Sequence, residues 1–366
     1  MNNEYLVDMV SAYLKGEVID LPVDFNTAIK DAKEQNLLPF LYAVYQKKEF
    51  KQYYITAVLV QEKFLALQNQ ITEIFNKEKI KHLYLKGSVL CHIYPDVALR
   101  TRGDIDVLIE EDDLLRVRKL FNDMGYEEQH ACSHHIGFIK DGFEFEVHFK
   151  MMTELKDNVN KYYENPFRLA HQKSEYLYEL DENEHFLFVF FHFLKHLYSG
   201  AGIRFLLDFY YMFKNWNLNL DYIHQRISEF GYNKAYNNML NGVYYLSGNI
   251  FDSTMEAIDI KFFIDYLLDS GIHGFAEGHE RDNQYQPIKE NKFAYYMRTI
   301  FLTNKGYRVL KYPHVGRCIL FYTFLVIYNF CFLVIRKIWH KLTRKSNNYK
   351  NQSEKRTELN KKLGIQ

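Results

Sequence analysis

The chain has 366 residues, and its 46 acidic side chains balance 46 basic ones, so the formal net charge is zero. This balance argues against a protein that binds nucleic acid through bulk positive charge. The four cysteines are scattered without a CxxC pair, so neither a zinc ribbon nor a disulfide framework is expected. A content of 48% hydrophobic residues with only 6 Pro is typical of a helix-rich globular protein.

The first 80 residues predict a helical region. Apolar residues recur at helical spacing in residues 4–15, and residues 24–48 predict two short helices. Residues 51–79 contain neither Gly nor Pro and predict a long amphipathic helix that acts as a packing wall. The N-terminus lacks the basic start and the cleavage site of a signal peptide, so we expect a cytoplasmic protein.

Residues 82–149 predict an α/β core, which opens with an apolar run that stops at a glycine turn. Leu83, Tyr84 and Leu85 predict a short buried strand, and Lys86-Gly87-Ser88 follows directly. A helix is expected to open at this turn.

Two aspartates lie one residue apart at the start of the next predicted strand, residues 104–109. Side chains alternate along a strand, so Asp104 and Asp106 share one face, while Ile105, Val107 and Ile109 face a core. Two neighbouring carboxylates repel each other unless a cation lies between them. Hard divalent cations such as Mg²⁺ prefer carboxylate oxygens, so this pair predicts a metal site.

A hairpin follows, because Asp141-Gly142 is a strong two-residue turn signal between residues 133–140 and 143–149. Glu144, Glu146 and His148 share one face of its second strand. The hairpin is therefore expected to bring a third carboxylate beside the aspartate pair. The register, which the sequence leaves open, decides between the two glutamates.

Residues 151–181 are polar and predict irregular structure with one short helix. Five helices are predicted after them, over 183–198, 203–214, 220–229, 232–248 and 257–269. Two pairs of polar residues four apart share a helix face, His192 with His196 and Arg204 with Asp208. Residues 270–290 predict a surface loop.

The C-terminal part contains an uncharged run of eighteen residues, Cys318 to Ile335. This run is at the short end for a membrane span. We expect residues 317–345 to form an apolar and basic helix that packs on the domain or lies on the inner membrane surface as a peripheral contact. Residues 346–366 are expected to form a disordered basic tail.

The order of these motifs resembles the DNA polymerase beta-like nucleotidyltransferase superfamily. The resembling pattern is an apolar strand, Lys86-Gly87-Ser88, then Arg100, then Asp104-Ile105-Asp106 and an acidic hairpin strand. It is most similar to the bacterial uncharacterised nucleotidyltransferase family, which is related to the type IV abortive-infection toxins. The resemblance covers residues 80–150 well and 185–210 more loosely, and it implies an α+β fold with a small mixed-sheet core in a mainly helical chain. With the patterns described above, it divides the chain into residues 1–80, 81–150, 151–316, 317–345 and 346–366.

The resemblance also implies roles for the site residues. Asp104, Asp106 and Glu146 would hold two Mg²⁺ ions, with Mn²⁺ as an alternative metal and Glu144 as the alternative third carboxylate. Lys86, Gly87, Ser88 and Arg100 would contact the nucleotide phosphates, because helix amides and a close glycine backbone suit phosphate. For Arg100, a structural salt bridge to the acidic cluster is the alternative role. The pocket would be completed by His148, His192, His196, Arg204 and Asp208, for which a buried polar network is the alternative.

The expected reaction moves a nucleoside monophosphate from a nucleoside triphosphate to an acceptor hydroxyl and releases pyrophosphate. The acceptor is left open between a small molecule, a protein and an RNA end. A long nucleic acid is not expected, because no basic groove with interleaved aromatic residues is present in the sequence. The alternatives are a catalytically silent nucleotide-binding module of the same fold and a membrane-associated scaffold.

Overall fold

The computed structural model describes residues 3–152, 155–248, 260–271 and 362. Its α-helices are α1 (Tyr5–Lys15), α2 (Phe25–Glu34), α3 (Leu38–Tyr45), α4 (Lys51–Lys77), α5 (Gly87–Leu90), α6 (Leu114–Asp123), α7 (Asp157–Tyr162), α8 (Glu182–Ser199), α9 (Arg204–Asn215), α10 (Leu220–Phe230), α11 (Asn233–Ser247) and α12 (Ile260–Ser270). Its strands are β1 (His82–Tyr84), β2 (Asp104–Ile109), β3 (Glu127–Ala131), β4 (His135–Lys140), β5 (Phe143–His148), β6 (Ala170–Ser174) and β7 (Leu177–Leu180). The predicted α+β class, a mixed sheet in a mainly helical chain, is confirmed.

Local sequence signals account for several element ends. The Asp24 side chain accepts hydrogen bonds from the amides of Asn26 and Thr27, and α2 begins there. The helix α1 stops at Gly16, whose φ of 71° lies in the left-handed region that glycine adopts without strain. The hairpin between β4 and β5 turns at Asp141 and Gly142, which both have positive φ, as a tight two-residue turn requires.

The described strands form one seven-stranded sheet in the order β3-β4-β5-β2-β1-β7-β6. The central strand β2 runs antiparallel to β1 and parallel to β5. The chain therefore crosses over between β2 and β5 through α6 and the strands β3 and β4. This crossover brings two acidic strands, distant in sequence, side by side at the centre of the sheet.

Two regions of the sheet differ from the sequence expectation. Strand β3 was not predicted, and residues 170–180, expected to be irregular, form the β6–β7 hairpin, which pairs with β1. The outer strands β3 and β6 are largely exposed and polar, so they lack the apolar alternation that reveals a strand. Pairing with a neighbouring strand stabilises them instead. As a result, the sheet takes strands from both sides of the expected boundary at residue 150.

The two faces of the sheet pack against different helices. Ile105, Val107 and Phe145 belong to a hydrophobic cluster with apolar residues of α4 and α6. Leu83 and Leu108 belong to a second cluster, which extends over helices from both ends of the described chain. The predicted orientation of the apolar residues of β2 and β5 is confirmed, and their polar residues lie on the face that is turned toward the second cluster.

The C-terminal predictions fall outside the described residues. These are the helix over 317–345 and the tail over 346–366, apart from Lys362. Within the described ranges, no helix combines the length and the apolar character that crossing a membrane requires.

Candidate active site

The parallel pairing of β2 with β5 sets the geometry of the candidate site. Asp104 lies opposite Glu144, and Asp106 lies opposite Glu146. Since alternate residues share a face, all four carboxylates and His148 occupy one face of two neighbouring strands. The predicted gathering of a third acid beside the aspartate pair is what the fold produces.

Lys86 places a positive charge at this acidic group. Its Nζ atom donates to Oδ1 of Asp106 at 2.6 Å and lies 3.8 Å from Oε2 of Glu146. Burial alone would lower the pKa of Lys86, but the charges of Asp106 and Glu146 outweigh it, so the pKa is raised and the ammonium is retained.

The backbone at Lys86 is also unusual. It has a φ of 47°, a conformation that residues with a side chain rarely adopt and that costs about 1–3 kcal/mol. The residue that directs its ammonium at the carboxylates therefore has a strained backbone conformation.

His148 and Glu146 favour each other's charged forms. His148 Nε2 lies 2.9 Å from Oδ1 of Asp106 and 3.2 Å from Oε2 of Glu146. Burial would lower the pKa of His148, but hydrogen bonds to these two carboxylates raise it. Burial would likewise raise the pKa of Glu146, but the hydrogen bond with His148 and the charge of Lys86 lower it well below its usual range.

Asp104 has the opposite electrostatic environment. Burial, followed by the charge of Asp106, raises the pKa of Asp104 to about 7, and the charge of Lys86 offsets this only in part. The face thus carries more negative charge than its own cations balance. A bound cation would relieve this excess.

The donor set fits a divalent metal ion. Asp106, Glu146 and His148 each offer a ligand atom, and these three atoms lie within 4.8 Å of one another. The carboxylates supply oxygen ligands, and a histidine that bonds a ligating carboxylate holds it in position. Of the three predicted metal ligands, Asp106 and Glu146 belong to this group, whereas Asp104 lies on the same face of β2 but is not one of its three members.

The glycine turn lies directly beside these acids. The helix α5 opens at Gly87 as predicted, but the Ser88 amide already donates to the Leu85 carbonyl at 3.2 Å. The Ser88 hydroxyl is buried and has no hydrogen-bond partner within the described part of the chain. A β-carbon at Gly87 would come within 3.2 Å of Cβ of Arg102, so the packing there favours glycine.

Arg100, predicted to contact the nucleotide, is bonded to another residue of the chain in the structure. The buried Arg100 guanidinium donates to both oxygens of Asp208, from Nε at 2.6 Å and from Nη2 at 3.0 Å. Tyr94 donates its hydroxyl to the same carboxylate at 2.7 Å. The phosphate contact of Arg100 stays a prediction. The salt bridge of Arg100 is with Asp208, so the alternative that paired it with the acidic cluster has the wrong partner.

Arg204 and Asp208 lie four residues apart on α9, a spacing at which two opposite charges could pair. Arg204 instead donates from Nη1 to the Thr101 carbonyl, while Arg100 and Tyr94 bond the Asp208 carboxylate. Arg204 nevertheless lies within electrostatic reach of Asp104. Of this predicted pocket pair, Asp208 belongs to the buried pair with Arg100, and Arg204 is within electrostatic reach of both Asp208 and Asp104.

His192 and His196 lie together on α8, with ring centroids 4.4 Å apart. Burial lowers the pKa of His192 well below its usual range, and the charge of Lys86 acts in the same direction. That effect places this face of α8 within electrostatic reach of the acidic group.

The structure adds two histidines that the sequence analysis passed over. His135 Nε2 lies 3.6 Å from Oε1 of Glu146, and the His134 and His148 ring centroids are 6.0 Å apart. Both come from the segment His-Ala-Cys-Ser-His-His at residues 130–135. Its density of metal-ligating residue types was the available signal.

A model of the family described as "Uncharacterised nucleotidyltransferase" matches residues 22–243, more than half of the chain. The chain belongs to this family. The match begins just before α2 and ends within α11, so this nucleotidyltransferase family includes the helices on both sides of the sheet. No match was found among curated proteins or among solved structures.

The family membership confirms the predicted nucleotidyltransferase assignment. The expected relation to bacterial abortive-infection toxins stays a prediction.

Proposed function

We propose that this nucleotidyltransferase transfers a nucleoside monophosphate from a triphosphate to an acceptor hydroxyl, using Mg²⁺ or Mn²⁺. The observation that carries the proposal is the register that aligns Asp104 and Asp106 with Glu144 and Glu146 beside Lys86. Four acids on one partly buried face repel one another, and bound divalent cations would offset this repulsion.

The reaction forms one bond and breaks one. The acceptor oxygen attacks the α-phosphorus, the bond from that phosphorus to the bridging oxygen breaks, and pyrophosphate leaves with the electron pair. The acceptor proton passes to solvent. A bound divalent cation would offset the negative charge on the phosphoryl oxygens.

The side chains have distinct proposed roles. Asp104, Asp106 and Glu146 would hold the cations, and His148 keeps Asp106 and Glu146 in position. The lowered pKa of Glu146 suits a charged ligand better than a proton acceptor. Lys86 exchanges its bond with Asp106 for a phosphate oxygen when the nucleotide binds.

The proposed acceptor is a hydroxyl of a small molecule, a protein or an RNA end. Because its nucleotide substrates are cytoplasmic, we place the protein in the cytoplasm. A peripheral membrane contact through residues 317–345 stays a prediction.

The test incubates the full chain with each α-labelled nucleoside triphosphate, Mg²⁺ and cell extract. We expect label to appear on protein, RNA or a small molecule, and to disappear with Asp104→Ala plus Asp106→Ala. The matched control is Asp123→Ala plus Asp221→Ala, which removes two aspartates from the ends of α6 and α10. Equal labelling by the Asp104 and Asp106 double variant would overturn the proposed mechanism. Nucleotide binding without transfer would favour the silent module.

A further inference from the structure

The turn between β3 and β4 carries a second group of metal-ligating side chains that the proposed reaction does not use. Cys132, His134 and His135 each offer one ligand atom, and these atoms lie within 4.8 Å of one another. The Cys132 sulfur lies 3.4 Å from Nδ1 of His134 and 3.3 Å from Nδ1 of His135.

These separations are within a few tenths of an ångström of those between ligands around one small ion. Tetrahedral zinc, with Zn–N bonds of about 2.0–2.1 Å and Zn–S bonds of about 2.3 Å, separates its ligand atoms by about 3.4–3.6 Å. A thiolate with two imidazoles is a soft donor set, which favours a transition metal over Mg²⁺. Ligand type therefore distinguishes this turn from the carboxylate face.

The backbone of the turn is held from two sides. The Cys132 amide donates to the His135 carbonyl at 3.0 Å and closes the hairpin. The His134 carbonyl accepts from the amides of Phe149 at 2.9 Å and Lys150 at 3.3 Å, immediately after β5. The ligand-bearing residues are thus fixed by strand pairing, as a preorganised site requires.

His135 connects this turn to the acidic face. Its Nδ1 atom faces Cys132, whereas its Nε2 atom lies 2.9 Å from Nε2 of His130 and 3.6 Å from Oε1 of Glu146. A metal on Nδ1 leaves the proton on Nε2, directed at His130 and Glu146. Metal-bound histidines commonly direct the second nitrogen to a carboxylate in this way.

We propose that Cys132, His134 and His135 bind one Zn²⁺ ion at a site separate from the carboxylates that hold the catalytic cations. Within the described residues the site has three ligands, so a tetrahedral ion keeps its fourth position for water or another ligand. The ion fixes the tautomer of His135 and, through it, the Glu146 carboxylate. The zinc site itself does not rest on the proposed transfer reaction.

The test measures metal binding by the full chain without nucleotide, so its result is independent of transfer activity. Reduced, chelator-treated protein is titrated with Co²⁺ alone, and Zn²⁺ is then added as a competitor. We expect about one equivalent of Co²⁺ to give a thiolate-to-cobalt charge-transfer band that Zn²⁺ abolishes, as tetrahedral thiolate ligation requires. Absence of the band in the wild-type chain would overturn the proposal.

Variants assign the ligands. Cys132→Ser should abolish the band and weaken Zn²⁺ binding by about 100-fold or more, and His134→Gln should weaken it by at least about tenfold. Cys91→Ser and His171→Gln are the matched controls, and both should retain the band and the affinity. Asp104→Asn plus Asp106→Asn should also retain them. A band that survives Cys132→Ser would refute the assignment.

A measurement on the wild-type chain keeps the proposal testable even if a variant fails to fold. Zn²⁺ should slow alkylation of Cys132 at least about tenfold relative to the metal-free chain. Equal alkylation rates with and without Zn²⁺ would contradict thiolate ligation.

Discussion

Arg100 and Asp104 lie only four residues apart, yet their side chains enter two charge clusters of opposite character. Arg100 and Asp208 form a buried ion pair, to which Tyr94 adds a hydrogen bond. Asp104 is one of four carboxylates on a face where the Lys86 ammonium contacts Asp106. The first cluster is satisfied by its own residues, whereas the second carries excess negative charge.

This difference separates support from chemistry. A balanced buried pair is expected to act in folding, because removing one partner exposes the other charge to a low-dielectric interior. An unbalanced cluster destabilises the fold unless a ligand compensates it, so its persistence indicates binding. Substitutions in the two clusters should therefore have opposite effects on stability and activity.

The largest expected effect on stability comes from Arg100→Met. The variant leaves the Asp208 carboxylate buried without its main partner, so the free energy of unfolding should fall by about 3 kcal/mol or more. Urea unfolding measures this change, and adding Asp208→Leu should restore much of the loss. Arg116→Ala, which removes an exposed pair with Glu78, serves as the control and should cost less than about 1 kcal/mol. A loss of similar size in both variants would remove the distinction.

His82 provides a buried ionisable group outside both clusters. Burial lowers its pKa from 6.5 to about 4, while a hydrogen bond with the Ile80 carbonyl opposes the shift. The folded state keeps His82 neutral, so the unfolded state binds more protons between these two pKa values, and stability is lost as pH falls through this window.

His82→Leu should reduce the acid-induced loss by about 3 kcal/mol between about pH 7.5 and about pH 4. Urea unfolding at the two pH values checks it. His171→Leu, at an exposed histidine, is the control. An unchanged pH dependence in His82→Leu would show that His82 does not contribute.

The two hairpin glutamates should differ in activity. Glu146 contacts His148, and its Oε2 atom lies 3.8 Å from Nζ of Lys86. Oε1 of Glu144 instead lies 4.0 Å from Nδ1 of His130. Glu146→Gln should reduce the turnover number about 100-fold, and Glu144→Gln by less than about tenfold. Turnover is measured at saturating nucleotide and metal. Equal losses in the two variants would mean that the contacts of Glu146 with His148 and Lys86 do not make it the third metal-binding acid.

The smallest expected effect is that of Asp104→Asn on stability. Its pKa is raised by burial and by Asp106, so the charged form is disfavoured in the folded chain. Removing this charge should leave the free energy of unfolding unchanged or raise it by about 1 kcal/mol, even though activity is lost. Urea unfolding in chelator near neutral pH tests this, with Arg100→Met as the opposing reference. A marked loss of stability would place Asp104 in the structural cluster.

The local structure of this site could be predicted from the sequence. The Asp141-Gly142 turn predicts a tight hairpin. The alternation of Phe145 and Val147 with Glu146 predicts that Glu146 lies on the face of the sheet opposite to the apolar cluster. Strand β3 escaped prediction because its exposed residues lack an apolar period. The buried polar network expected as the alternative role of Asp208 is present, but its partner Arg100 escaped prediction because the two residues lie 108 positions apart in sequence.

By itself the sequence determined which residues are acidic, which strands have a buried face and where the hairpin turns, since these follow from side-chain alternation and local backbone preference. Only the tertiary structure decided that β5 lies beside β2, in the register that aligns Glu146 with Asp106. It also decided that Arg100 binds Asp208 and that His135 reaches Glu146. These outcomes depend on long-range pairing and packing, which a single segment does not encode.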